Sequence, residues 1–331
     1  MPDVVAQLSG LFSNLSLMGE GATSAVYFGR RLSDDKKCVV KVFLRPFEEA
    51  KEGQPLARFE RECKALASLD HPNIVKLIEW GAAETFPYLV LEFQAATSLQ
   101  ETLSRRPTPL PWRETVEMIA TLADALAHAH SREIIHRDIK PANILIRKDG
   151  SPMFIDFGLV RSGLMQTYRT ATGVILGSPS YMAPELFGTE RATESTDLYS
   201  LGVVLYEMLT QERLFSGNLH EIMKLKLSGK IPSLKNGQLP RKLIEIVEGL
   251  LAPKSKRLEL TAKELAKELR ALKIGIADLA ASKRSTVPLT PPKEIPTKRR
   301  PFWILAPIVL MLALFIVREP TPKTNLPPVQ I

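Results

Sequence analysis

Two short apolar runs, Ile144-Leu145-Ile146 and Met153-Phe154-Ile155, each border a polar cluster, and this pairing constrains the chain more than any other feature. The first follows His136-Arg137-Asp138-Ile139-Lys140-Pro141-Ala142-Asn143. The second runs out into Asp156-Phe157-Gly158, and Asp156 stands thirteen residues after Asn143. Apolar triplets between polar turns read as short strands, so neighbouring strand ends would present Asp138, Asn143 and Asp156 together. Either cluster alone is compatible with a polar turn. Combined, they offer carboxylate and amide oxygens, the hard ligands that Mg²⁺ takes alongside nucleotide phosphates.

The periodicity changes once along the chain. Residues 11–93 contain the strand-like runs LFSNLSLM, AVYFGRRL, CVVKVFL, IVKLIEWGA and YLVLEF, with one helical stretch at residues 55–69. From Trp112 the patterns WRETVEMIATLADALAHAHS and ESTDLYSLGVVLYEMLT repeat apolar residues at three and four, as helices do. The expectation is an α+β chain: an N-terminal extension at 1–10, a small sheet-rich lobe at about 11–93, and a larger helical lobe at about 94–272. With 45% hydrophobic and 24% charged residues in 331, a wholly disordered or fibrous chain is excluded.

Gly19-Glu20-Gly21-Ala22-Thr23-Ser24-Ala25-Val26 lies between the first two strand patterns. Glycines let backbone N–H groups approach phosphate oxygens with no Cβ in the way, although a plain hairpin turn accounts for two glycines equally well. A dinucleotide-binding turn would lead into a helix, and AVYFGRR is strand-like, which disfavours it. Lys41 sits inside the apolar run 38–44. A mid-strand lysine commonly faces solvent, but with apolar neighbours on both sides its burial demands a partner. A phosphate with a carboxylate would serve, and Glu62, in the helical stretch 55–69, is the candidate carboxylate.

In chain order stand GEGATSAV, the lysine of VVK, the helix glutamate, HRDIKPAN, DFG and Ala183-Pro184-Glu185. Over residues 11–272 this series resembles the eukaryotic-like serine/threonine protein kinases, in particular the membrane-anchored ones of bacteria. The resemblance implies the bilobal protein kinase fold and transfer of the ATP γ-phosphate, with Mg²⁺ or Mn²⁺, to Ser or Thr hydroxyls of protein substrates. Under it Gly19, Glu20, Gly21, Ala22, Thr23 and Ser24 cover the phosphates. Lys41, held by Glu62, neutralises the α and β phosphates, and Asn143 and Asp156 hold the metal. Asp138 orients the attacking hydroxyl and accepts its proton, while Lys140 counters charge on the transferred group. Lys140 also marks hydroxyls of Ser/Thr rather than Tyr.

The same resemblance puts adenine between Val26 and Val39 above and Leu145 below, with Leu91 as gatekeeper and Glu92 to Gln94 as hinge. Leu66, Leu77, His136 and Phe157 take the positions of the apolar spine joining the lobes, with His136 structural. Ser178 falls where the family contacts the catalytic aspartate. Glu185 is expected to pair with Arg257, and Asp197 to hold the catalytic-loop backbone. Four departures stand out: Ser24 for the third loop glycine, Cys38 and Val39 for the usual Val-Ala before the lysine, and Ala252 where Asp often precedes Arg257. None removes a charge-bearing catalytic residue. The alternative, a nucleotide-binding pseudokinase serving as a membrane-anchored scaffold, is disfavoured by intact Lys41, Asp138, Asn143 and Asp156.

Residues 158–183 contain Thr167, Thr170 and Thr172. Thr170 and Thr172 occupy positions at which related kinases autophosphorylate, and Arg137 is the arginine that receives such a phosphate. A phosphothreonine adds about −1.5 to −2 charge and three acceptors, enough to order a loop against an arginine. Three exposed loop threonines are the plainer reading. Thr286, Thr290 and Thr297 are further candidate sites.

The C-terminal part changes character. The expected linker, 273–300, contains SKRSTVPLTPPKEIPTKRR, a composition that buries no core. Residues 301–317, PFWILAPIVLMLALFIV, are uncharged and span about 25 Å as a helix, against a hydrocarbon core of roughly 30 Å. Eleven of the seventeen are Leu, Ile, Val or Phe, each favourable by roughly 0.3–0.6 kcal/mol near the bilayer centre. A transmembrane helix is expected despite Pro307, with Arg300 and Arg318 snorkelling. A buried globular helix would find nothing after it to pack against. Six Lys/Arg lie within about twenty residues before the run and two follow it, so the bias directs the long N-terminal part to the cytoplasm and 318–331 outside.

Charge and cysteine agree with that layout. Residues 274–331 hold eight basic and three acidic residues, net +5, leaving 36 basic and 33 acidic elsewhere, net +3. The body carries no basic stripe interleaved with aromatics, which excludes nucleic acid as its partner. Cys38 and Cys63 offer no zinc spacing and read as reduced core thiols of a cytosolic domain. Residues 1–16 lack a positive stretch followed by a long apolar run, so no signal peptide is expected. A single-pass inner-membrane protein follows, with a homodimer of the small lobe as a route to autophosphorylation in trans.

Overall fold

The computed structural model describes residues 4–21, 24–44, 55–83, 86–157, 178–188, 190–232, 234 and 239–285. The small lobe is an antiparallel five-stranded sheet of β1 (Phe12–Glu20), β2 (Ser24–Arg31), β3 (Lys37–Phe43), β4 (Leu77–Ala83) and β5 (Phe86–Glu92), in the order β1-β2-β3-β5-β4. Alternation along β3 decides its two faces. Cys38, Val40 and Val42 point to the outer face, where they pack with Phe12, Tyr88 and Val90 under Val4 and Leu8. Those last two belong to helix α1 (Val4–Leu8), so the residues read as an extension contribute to a hydrophobic core. On the inner face Phe43 meets Phe59 and Cys63 of helix α2 (Pro55–Ala67), together with Leu77 and Leu89. Both cysteines are buried and unpaired, and burial pushes the Cys63 thiol up to about 12.

The large lobe contains α3 (Leu99–Ser104), α4 (Trp112–His130), α5 (Glu194–Thr210), α6 (Leu219–Ser228), α7 (Arg241–Leu251) and α8 (Ala262–Ser285). Helix α5 is buried along nearly its whole length, which its apolar run dictates. Gly202 lets α7 come close: a Cβ there would lie 2.9 Å from the Leu250 Cβ. A small sheet, β6 (Thr97–Ser98), β7 (Ile144–Ile146) and β8 (Pro152–Phe154), lies on this lobe. The lobes are stitched beside it: Phe154 N–H donates to Asn73 O at 2.8 Å and Val75 N–H to Phe154 O at 2.9 Å. That is why the apolar run beginning at Ile74 enters β4 only at Leu77.

Helix α8 continues to Ser285, beyond residue 272 where a linker was expected. Arg270 and Lys273 tie it to α4 through Asp124 at 2.6 Å and Glu117 at 2.6 Å, respectively. Among the described residues no helix is long and apolar enough to cross a membrane, and residues 286–331, with the run 301–317, lie outside them. Ala22, Thr23, Thr167, Thr170, Thr172, Thr286, Thr290 and Thr297 also lie outside the described residues.

Candidate active site

Strand register brings one set of side chains to the inner face of the small lobe. Val26 is opposite Lys41, and Lys41 opposite Leu89; in the next row Phe28 is opposite Val39, and Val39 opposite Leu91. Cross-strand partners share a face, so Val26, Val39, Lys41 and Leu91 line one surface. Leu145, in β7 of the other lobe, is half-buried. Leu66, Leu77, Leu91 and Phe157 border a cavity of about 30 Å³ beside Asp156. Glu92 is exposed and Gln94 half-buried, where the chain passes between lobes. Phe93, between them, meets Phe28 edge-on with ring centroids 5.0 Å apart. This aromatic pair was not singled out from sequence, where a phenylalanine in each of two strand patterns reads as ordinary core.

Lys41 is buried and ion-paired with Asp156. The resemblance had implied Glu62 as its carboxylate; Glu62 stands half-buried on α2 and Asp156 takes that place. The physical reason is backbone geometry. Asp156 has φ 64°, a left-handed conformation rare for non-glycine residues, at the point where the chain leaves β8 for the cleft. Glu62 is carried by a helix whose neighbours Phe59 and Cys63 are committed to packing on β3, β4 and β5.

Asp138 is held from two sides. Lys140 Nζ donates to its Oδ2 at 2.9 Å, and Asn143 Nδ2 donates to the same oxygen at 2.9 Å and to Asp138 O at 2.8 Å. Because the Asn143 amide nitrogen is spent on Asp138, its carbonyl oxygen is left as the group available to a cation. Asn143 N and O also tie the loop together, through Lys140 O at 2.9 Å and Ile155 N at 3.0 Å.

Beneath this loop Asp197 is 1% exposed. Its Oδ2 accepts from His136 N–H at 2.8 Å and its Oδ1 from Arg137 N–H at 2.9 Å, while His130 Nε2 lies 2.9 Å from Oδ2. Arg137 has φ 67°, a strained conformation of the kind that persists only when surrounding bonds over-determine it, and Asp197 supplies such a bond. His130 was missed from sequence, since one histidine on the apolar face of a long helix signals nothing by itself. His136 is fully buried, its ring 4.4 Å from that of Phe157 and 4.8 Å from that of Phe154. Burial lowers its pKa, so the ring is neutral at pH 7 and supports Phe157 by packing.

Further down, Arg257 Nη2 donates to Glu185 Oε2 at 2.9 Å and Arg257 Nη1 to Ser195 Oγ at 3.2 Å. Tyr181 OH donates to Glu207 Oε2 at 2.6 Å. Residues 178–185 are thus anchored below the cleft.

The donor set fits ATP with a hard divalent ion. Among the described residues no group of three or more His, Cys, Asp and Glu could hold a metal alone. An ion here would take Asp156 and Asn143 oxygens and complete its shell from phosphates and water.

The protein kinase domain family matches residues 12–271. The chain is similar to the serine/threonine-protein kinase PrkC of Bacillus subtilis, 35% identical over 73% of this chain and 37% of that one. It is similar also to PknK of Mycobacterium bovis, 36% over 82% and 24%, and to the probable kinase PknB of Lactococcus lactis, 32% over 80% and 41%. It therefore spans between about a quarter and two fifths of the length of these curated relatives. Four fifths of its own length carries the shared domain, and the chain belongs to the protein kinase family, alongside the serine/threonine kinases of bacteria.

Proposed function

We propose that this chain is a Mg²⁺·ATP-dependent serine/threonine protein kinase, anchored to the inner surface of a bilayer by residues 301–317, that phosphorylates proteins and its own activation segment. The observation that carries this reading is Asp138, its carboxylate oriented jointly by Lys140 and Asn143 at 2.9 Å each. A carboxylate fixed in this way accepts the proton of an incoming hydroxyl, and Lys140 neutralises charge on the group being transferred. Lys41 binds phosphate oxygens, and its present contact with Asp156 keeps both groups at one spot. When bound, Mg²⁺ supplies the positive charge that draws the phosphates into line, and Asp156 and Asn143 would hold it; Mn²⁺ has the same preference for oxygen. Val26, Val39, Leu91 and Leu145 shape the slot for the base.

The test is transfer of labelled γ-phosphate from ATP to myelin basic protein by purified full-length protein. Asp138→Asn should lower kcat by about 10²–10⁴-fold with little change in nucleotide affinity, and Lys41→Met and Asp156→Asn should abolish transfer. Nucleotide binding without any transfer by the wild type would establish a scaffold instead.

A further inference from the structure

Helix α6 breaks the rule that its own sequence pattern sets. The positions facing inward are Leu219, Ile222, Met223 and Lys226, at helical spacing. Lys226 is 3% exposed, whereas Leu225 and Leu227 beside it are 44% and 66% exposed. A charge points in and two leucines point out. Such local inconsistencies concentrate at functional positions.

The buried ammonium has a specific surrounding. Lys226 Nζ donates to Met182 O at 2.6 Å and lies over two aromatic faces, Phe215 at 4.2 Å and Tyr199 at 5.0 Å. Arg257 lies over the same Tyr199 ring at 4.8 Å, and itself binds Glu185. Among the described residues no carboxylate reaches Lys226 within ion-pair distance. Burying an ammonium without one is unfavourable, and cation–π contact with a single backbone carbonyl offsets this only in part. Stability alone gives no account of the residue, since an apolar side chain of similar volume would fill the site at less cost.

Its contact points to the role. Residues 178–185 are tied to Glu207, Lys226 and Arg257, and Ser178 at their start is the residue whose counterpart, by the family resemblance, meets the catalytic aspartate. Tyr181 is bound by α5 and Glu185 by Arg257, both through side chains. Lys226 is the contact made to the backbone between them, so it sets the path of the segment itself.

We propose that Lys226 is a positioning residue for the protein substrate: by holding Met182 O it fixes the course of residues 178–185, on which the hydroxyl-bearing strand of the acceptor lies. This rests on the kinase reading above. Steady-state kinetics of the full-length protein with myelin basic protein and Mg²⁺·ATP test it. Lys226→Met should raise the acceptor KM about tenfold, leave the ATP KM within about twofold, and leave the thermal midpoint unchanged or higher. Lys226→Arg, which keeps a cation and a donor, should restore the acceptor KM to within about threefold of wild type. An acceptor KM unchanged in Lys226→Met, or one rising in step with the ATP KM, overturns the proposal. Phe215→Leu, which removes one ring from the ammonium, gives a second reading that stands even if Lys226→Met does not fold. It should raise the acceptor KM about threefold with the ATP KM unchanged, and no rise would be equally decisive against the proposal. Wild-type protein that transfers no phosphate defeats the kinase reading instead, an outcome distinct from a wild type that transfers phosphate with an acceptor KM indifferent to Lys226.

Discussion

The side chains of Glu185 and Arg257 are 5% and 3% exposed, so neither can exchange its partner for water. Burial pushes the Glu185 pKa up, but the hydrogen bonds and charge of Arg257 push it down further, and the carboxyl ends below its ordinary value of 4.5. A depressed carboxyl pKa gives stability that is complete above the unfolded-state value and lost as pH falls through the folded one. Arg257→Met leaves Glu185 buried and alone, and should destabilise the protein by about 3–5 kcal/mol in urea unfolding at pH 7. Below about pH 4.5 the wild type forfeits the same contribution, so the gap between the two proteins should narrow. A gap independent of pH would mean that the pair contributes through packing alone. Glu185, Arg257 and Asp197 were legible in the sequence because each sits at a fixed offset from a motif. Lys41's partner was not, since choosing between Glu62 and Asp156 depends on where α2 settles against the sheet. Lys226 was invisible for a different reason: a lysine in a helix that also carries exposed leucines reads as part of the solvated face.

Elements were read best where local signals and burial agree. Helix α4 starts at Trp112, as its pattern implies, and α5 runs Glu194–Thr210 behind Thr193, whose N–H is taken by Thr196 Oγ1 at 3.1 Å. Helix α1, five residues long, is too short to show a period, and only packing on β3 and β5 reveals that it belongs to the core. The end of α8 was misjudged because residues 273–285, KIGIADLAASKRS, lead without a proline into the Pro-rich stretch that reads as linker. Gly202 in α5 allows opposing element-scale effects to be weighed. Glycine inside a helix normally costs roughly 0.5–1 kcal/mol relative to alanine, so Gly202→Ala would ordinarily stabilise. Its new Cβ would meet the Leu250 Cβ at 2.9 Å, an atom that cannot swing aside, and overpacking of this kind typically costs about 1–3 kcal/mol. The second effect wins, and a net loss of about 1 kcal/mol in urea unfolding is expected. A gain would show that α5 and α7 slide apart freely.

For the whole molecule the decisive quantity is where copies of the domain meet. The net positive charge is concentrated in residues 274–331, next to the uncharged run 301–317, and anionic lipid attracts juxtamembrane basic residues at about 1 kcal/mol each. Full-length protein should therefore stay with membranes through an alkaline wash, while a chain ending at Ser285, which retains all of α8, should be recovered in solution. Confinement then changes the order of the reaction. For phosphorylation of one copy by another, the rate per molecule of the free domain is proportional to concentration, whereas copies held on one surface keep a high effective concentration whatever the bulk dilution. Label appearing at Thr170 and Thr172, normalised to protein, should fall about tenfold when the Ser285-terminated chain is diluted tenfold, and stay nearly constant for full-length protein in vesicles diluted alike. A truncated chain whose normalised initial rate ignores dilution would be phosphorylating itself in cis, and the membrane would then serve to place the kinase near its substrates rather than near its copies.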